Sequence, residues 1–356
     1  MRFETKTSVY STKNNFLEAE NQFLQWLQRK NLDQEIVDNP FVAADFENAL
    51  GLALDEAFNG FGESRESHLF LHRILYLINR MKLFWYDDLE NYVNENSPYI
   101  FSIRNQIESA WQAWEENKFD LESLEHIDVN KALKRRVAVD LEPESSEEDL
   151  YIRNEMSEAG YRRLLEISSV NGLVEASQLS RVLGGVGNEV QSMLTRIFLE
   201  EYGGGRLSRK HSSFFTAMLE ALNMDARPEA YFDVVPWEVL ANINLSFTLC
   251  EHKRNFLRYV GALLYFETSA PTAFGNFKLA GERLGLSYDA LGYWDIHIKE
   301  DERHGRWALD DVALPLIERY EDLAWQMVLG YDEQKFFNWR AGKAVIHSIQ
   351  EAEKGG

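Results

Sequence analysis

The stretch Tyr293-Trp294-Asp295-Ile296-His297-Ile298-Lys299-Glu300-Asp301-Glu302-Arg303-His304 holds two histidines and an aspartate in a helix-like spacing. At about 100° per helical residue, His297, Asp301 and His304 fall near 0°, 40° and −20°, one stripe over two turns. Imidazole and carboxylate on one stripe suit Fe(II), Mn(II) or Zn(II). The plainer reading is a solvated face with an ion pair, so the decision passes to the rest of the chain.

That chain reads as all-α. Helical periodicity dominates, no alternating strands with hairpin turns appear, and seven prolines in 356 residues leave long stretches unbroken. Helices are expected over 22–29, 43–58, 68–84, 87–92 and 103–117. A second set is expected over 150–168, 174–183, 187–202, 208–222, 237–268, 275–283, 287–310, 312–329 and 333–353. The acidic, apolar-poor run from Asp140 to Asp149 reads as an exposed linker. It divides an N-terminal helical region, 1–140, from a second region, 150–356. The first contains apolar helices and the aromatic cluster Leu83-Phe84-Trp85-Tyr86 but no ligand set, and is expected to serve homodimer assembly.

Composition narrows the function. A hydrophobic content of 45% with 13% aromatics supports a sizeable core. The formal charge of −21 argues against nucleic acid or an anionic membrane as partner and fits a small-molecule substrate. A lone Cys250 excludes an intrachain disulfide and a cysteine zinc cluster, and suits a reducing cytosol. The start, Met1-Arg2-Phe3-Glu4-Thr5-Lys6, lacks the apolar core of a signal peptide, and apolar runs such as 259–266 are too short to span a bilayer. A cytoplasmic protein is expected.

Four segments offer ligands. Glu200-Glu201-Tyr202-Gly203-Gly204-Gly205 is followed by His211. Ten residues of unbroken helix would separate Glu201 from His211 by about 15 Å, but three glycines permit a break. The alternative is a glycine-capped helix with Glu201 in solvent. Glu267 ends the apolar run 256–266, where a buried carboxylate needs a metal, an N–H cluster or an arginine, since an unpaired buried charge costs several kcal/mol. The third segment is the stripe itself, with Glu300 about 60° from His297 in an outer or alternate role and Glu302 facing solvent. Glu175 is the fourth and weakest. Three histidines and three or four carboxylates from separate helices are the inventory of a carboxylate-bridged dimetal site.

Glu-Tyr-Gly followed by His, then Glu closing an apolar helix, then H-x3-D-x2-H resembles the haem-oxygenase-like diiron oxidases and oxygenases, often called iron-containing redox enzymes. The resemblance covers roughly 150–330, and its order and spacing look closest to a member whose diiron domain N-oxygenates its substrate. It implies a haem-oxygenase-like bundle with Glu201, His211, Glu267, His297, Asp301 and His304 as iron ligands and Glu175 as an additional helix carboxylate. It further implies two irons, O2 as co-substrate, an external reductant as electron donor, and N-oxygenation of an amine or guanidine-like nitrogen through a peroxo-diferric oxidant. The superfamily also includes fatty-acid decarboxylating desaturases and amino-acid fragmenting oxidases, so desaturation or C–C cleavage is the alternative. A metal-free helical scaffold is the alternative outside enzymes. After His304 only His347 remains, so a C-terminal cupin carrying a further iron is not expected.

Other conspicuous residues read as structural. His68 and His72, four apart, lack a downstream partner and are assigned to packing. His252 beside Glu251 reads as a surface or capping pair, and Cys250 as core. His126 and His347 have no constellation. Tyr202, Phe266, Tyr293 and Trp294 read as pocket wall, and Arg258 and Arg303 as salt-bridge residues rather than substrate anchors.

Overall fold

The computed structural model describes residues 5–59, 64–84, 89–185 and 187–355, without the side chains of 5–14, 301 and 302. The described residues form helices and turns with no strand, as the periodicity requires. They divide into two compact units, Met1–Phe119 and Asp120–Gly356. In the first, helices α1 (Thr5–Leu27), α2 (Leu32–Asp38), α3 (Ala44–Leu54), α4 (Arg65–Arg80) and α5 (Pro98–Glu116) enclose a core of Phe23, Trp26, Phe46, Phe70 and Trp111. The second unit contains α6 (Leu121–Glu125), α7 (Val129–Leu141), α8 (Glu147–Asn154), α9 (Glu158–Gly172), α10 (Glu189–Glu201), α11 (His211–Ala221) and α12 (Trp237–Glu251). It continues with α13 (Phe256–Arg283), α14 (Gly292–Trp307), α15 (Leu314–Arg319) and α16 (Trp325–Gly355).

Local capping explains several boundaries that periodicity places elsewhere. The first helix starts well before residue 22, and α7 is a helix where none was expected, its N-terminus closed by Asp128 accepting from the Lys131 amide at 3.0 Å. The acidic run 140–149 is only partly a loop: Asp140 and Leu141 end α7, and Ser146 with Asp149 forms a capping box that opens α8. The expected helix 174–183 is a short 3₁₀ helix, Ser177–Val182, preceded by Ala176 at φ 59°. Of 87–92, the described part is a single 3₁₀ turn, Leu89–Tyr92, while Trp85, Tyr86, Asp87 and Asp88 lie outside the described residues, as does Val186.

Two long helices are also redistributed. The expected 237–268 breaks at His252–Asn255, whereas α13 runs unbroken through Pro271. Proline removes one ladder bond, that to the Glu267 carbonyl four residues back, and burial of α13 against α14 and α16 outweighs the loss. The break expected near 330–332 instead falls at 320–324. Residue 330 is continuous helix because α13 and α16 cross there at backbone contact: a Cβ on Gly261 would strike the Met327 carbonyl, and one on Gly330 that of Arg258. Tyr161, Leu165, Phe215, Leu219, Trp294 and Ile349 fill the adjoining core, with the Trp294 indole donating to the Tyr161 hydroxyl at 2.7 Å. No helix among the described residues is long and apolar enough to cross a membrane.

Candidate metal centre

The glycine triplet turns the chain as its sequence suggests. Gly203, Gly204 and Gly205 have φ of 61°, 63° and 78°, a left-handed run that side chains disfavour. α10 therefore ends at Glu201 and α11 begins at His211, which returns the imidazole to within 2.8 Å of the carboxylate (Nδ1 to Oε2). On α14, His297 and His304 project toward the same place. His297 Nε2 lies 3.1 Å from His211 Nδ1 and 3.2 Å from Glu175 Oε1. His304 Nδ1 lies 3.2 Å from Glu201 Oε1 and 3.4 Å from Glu267 Oε2. Glu201 thus gives one oxygen to each histidine group, and Glu267 reaches only one. Asp301 occupies α14 between the two histidines, its side chain outside the described residues.

Glu175 is not a helical residue. It sits in the turn after α9, where its Oε1 accepts from the Tyr293 hydroxyl at 2.6 Å. Two carboxylates complete the picture. Glu200 approaches His304 Nε2 at 3.1 Å and accepts from Arg303 at 2.6 Å; Glu300 approaches His211 Nε2 at 3.3 Å. Glu300 has the outer position foreseen for it, but Glu200 escaped the sequence reading. Its signal was the doublet Glu200-Glu201 set against the doublet Arg303-His304. Each histidine consequently has one nitrogen turned into the cluster and the other held from outside, by Glu200, Glu300 or, for His297 Nδ1, the Tyr293 carbonyl at 2.7 Å. Such outer partners fix ring orientation at metal sites.

The cluster is charged and buried. Glu175, Glu201, His211, His297 and His304 are all at most 7% exposed. Burial alone would lower the His211 and His304 imidazoles. Their carboxylate partners outweigh it and push them up to about 10 and about 11. Burial would likewise raise Glu201, yet hydrogen bonds from both histidines hold it well below the usual carboxylate range. Glu267 is raised because burial there outweighs its single histidine contact. The His211 hydrogen bond lowers the more exposed Glu300.

The donor set fits a divalent cation. No donor among the described residues reaches the buried Glu175 Oε2, an arrangement that leaves a carboxylate oxygen poorly compensated. With imidazoles neutral, five described carboxylates face the Arg303 guanidinium and, near Glu175, the Lys210 ammonium, an excess of acid that divalent cations would offset. Glu175, Glu201, His211 and His297 bring ligand atoms within 4.8 Å of one another, as do Glu200, Glu300 and His304.

The remaining residues fall where packing puts them. His68 and His72 lie in the first unit between aromatic rings, Phe58 and Trp114 beside one and Trp111 beside the other. Cys250 is buried. Glu251, on α12 rather than the helix of Glu267, pairs with Arg181 at 2.5 Å. Arg258 forms a buried bidentate pair with Glu333.

An all-helical unit that converges carboxylates and imidazoles from four helices and a turn defines a class, the helical carboxylate metalloproteins. Residues 162–333 match the family of iron-containing redox enzymes, whose fold is haem-oxygenase-like. Over 165 residues the chain is 31% identical to a nitrosourea synthase of Streptomyces achromogenes subsp. streptozoticus. The match covers 46% of this chain and 35% of that relative's length.

Proposed function

We propose that the second unit is a non-haem diiron oxygenase that N-oxygenates an amine or guanidine-like nitrogen of a small metabolite, using O2 and an external electron donor. The observation that carries the reading is the division of ligands about Glu201, one oxygen toward His211 and the other toward His304. Glu175, His211 and His297 would hold one iron, His304 and Glu267 the other, with Glu201 shared and Asp301 added by its place on α14. Iron bound there supplies the electron transfer to dioxygen that protein side chains lack.

The chain's own groups do the rest. Glu200, Glu300 and the Tyr293 carbonyl hold the outer imidazole nitrogens, so each ring presents its other nitrogen inward. His211 and His304 surrender protons when a cation binds. Phe266, Leu263 and Ile243 give the adjoining cavity an apolar wall. The similarity to a nitrosourea synthase supports nitrogen as the atom oxidised. The apolar lining favours a second reading, desaturation or C–C cleavage of an alkyl chain.

The balance separates the two. N-oxygenation consumes O2, two electrons and two protons, placing one oxygen on nitrogen and releasing the other as water. Anaerobic loading with Fe(II), addition of 18O2 and a screen of amines should give label in a nitrogen oxide. Unlabelled alkene or cleaved product rejects N-oxygenation, and loss of all iron dependence rejects both.

A further inference from the structure

Beside the cluster lies a cavity of about 210 Å³, whose wall includes Glu175, Glu201, Glu267 and His297. Along α13 the wall continues through Phe266 and Leu263 to Tyr259, eight residues before Glu267 and so about 12 Å away along the helix axis. Gln178, in the short 3₁₀ helix that follows Glu175, lines the cavity as well. Both Tyr259 and Gln178 lie by the last turn of α12. Cys250 is close enough to act on the Tyr259 hydroxyl, and Arg181, one turn past Gln178, pairs with Glu251 at 2.5 Å.

The polar groups of the wall differ in what already holds them. Gln334 Nε2 donates to Asn242 Oδ1 at 2.7 Å and to Asn338 Oδ1 at 3.0 Å, and Asn242 Nδ2 donates to Asn338 Oδ1 at 2.7 Å. Tyr259 and Gln178 are only 5% and 6% exposed, yet no hydrogen bond from another described residue reaches the Tyr259 hydroxyl or the Gln178 amide. Burying such groups unmatched is costly, and a molecule bound in the cavity removes that cost. Burial first, then the charges of Cys250 and Glu267, hold the Tyr259 hydroxyl well above the ordinary tyrosine value, so it stays protonated and can donate. The Gln178 amide offers a donor and an acceptor. Among the described residues lining the cavity there is no lysine or arginine.

We propose that the cavity takes an amine whose second polar group carries an uncharged oxygen, a hydroxyl or a carboxamide, with Tyr259 and Gln178 as the residues that read it. The inference rests on the N-oxygenase reading and adds a substrate class to it. Such an oxygen accepts from the Tyr259 hydroxyl or the Gln178 N–H, and the hydrogen of the same hydroxyl or carboxamide suits the Gln178 carbonyl. A carboxylate in that place would lose its hydration without meeting a cation. Phe266 and Leu263 give the intervening carbon chain an apolar surface, and the nitrogen is left to the cluster, where Glu175, Glu201 and Glu267 reach the wall.

The test uses the full chain, loaded anaerobically with Fe(II) and titrated calorimetrically with hexylamine, 6-aminohexanol, 6-aminohexanamide and 6-aminohexanoate. The alcohol and the amide should each bind about fivefold more tightly than hexylamine, the scale of one net hydrogen bond, and 6-aminohexanoate should bind less tightly than either. Tyr259→Phe and Gln178→Met should each reduce the advantage over hexylamine. Because no protein partner is lost, the ligand-free Tyr259→Phe chain should unfold at the parent's temperature, whereas a structural role for the hydroxyl predicts a drop. The proposal is overturned by that drop, by a parent chain that binds hexylamine or 6-aminohexanoate as tightly as the alcohol and the amide, or by either variant keeping the full advantage. Two equivalents of iron with no such advantage overturn this inference alone and leave the N-oxygenase reading standing. The expected preferences without any nitrogen oxide under 18O2 support the cavity assignment and overturn the N-oxygenase reading alone.

Discussion

Both units bury histidines, and the two settings differ in what surrounds the rings. In Met1–Phe119, His68 and His72 lie nearly parallel, 6.1 Å apart, edged by Phe58, Trp111 and Trp114. The buried acids described in that unit pair with basic residues: Glu20 with Arg73, Glu108 with Arg104, Glu115 with Lys118. In Asp120–Gly356, three buried histidines face carboxylates, and the acids outnumber the bases beside them. The carboxylates around a buried imidazole decide whether a cation is needed to balance the site.

The sharpest break of this comparison is by substitution. His211→Ala and His304→Ala should each cost at least one of two iron equivalents and abolish turnover while far-UV helicity stays intact. His72→Phe should leave iron stoichiometry unchanged. Iron retained by both second-unit variants, or lost in His72→Phe, would erase the distinction.

Within the cluster, Glu201 and Glu267 differ in reach. Glu201 contacts both histidine groups and Glu267 only His304. Glu201→Gln should therefore impair uptake of both irons and Glu267→Gln of one, read by iron content and by Mössbauer spectra of the O2-treated protein. A normal coupled diferric signal in Glu267→Gln would remove it as a ligand.

Proton linkage gives a smaller, graded effect. His211 at about 10 and His304 at about 11 stand above the value of about 6.5 for an unfolded chain. Their protonation stabilises the metal-free fold fully below pH about 6.5, and the contribution is lost as pH rises through 10 to 11. Glu201, depressed when folded, works oppositely: its contribution is present above the ordinary glutamate range and is lost on acidification. Because iron binds neutral imidazole, uptake should release protons in weakly buffered solution at pH 7.5, and affinity should rise between pH 6.5 and 8. A pH-independent affinity would contradict the charge arrangement.

Smaller still is the outer support. Glu200→Gln and Glu300→Gln should each weaken iron binding about tenfold, the low end for partners of metal-bound histidine, without changing stoichiometry. The least effect on iron should come from removing the first unit. Residues 120–356 alone should bind iron as the full chain does, and sedimentation should show a homodimer only for the full chain. A full-length monomer rejects the assembly role.

The fold class was readable from local signals. An apolar period of 3.6 with few prolines specifies helices, and the His297 to His304 spacing places two imidazoles on one face whatever they pack against. The left-handed turn at Gly203–Gly205 was likewise local, since only glycine enters it cheaply. Helix boundaries fared less well where caps or burial overrode periodicity, as at Asp128 and Pro271.

By itself, then, the amino-acid sequence determined an all-helical chain, a break between Glu201 and His211, and two imidazoles on one face of α14, because each depends on residues within a few turns of one another. Tertiary structure alone decided that Glu201 spans the two histidine groups, that Glu175 acts from a turn against Tyr293, and that Glu200 with Arg303 braces His304. These pairings join residues far apart in the chain, and the close crossings that align them, such as Gly261 over Met327, are properties of packed helices rather than of any one helix.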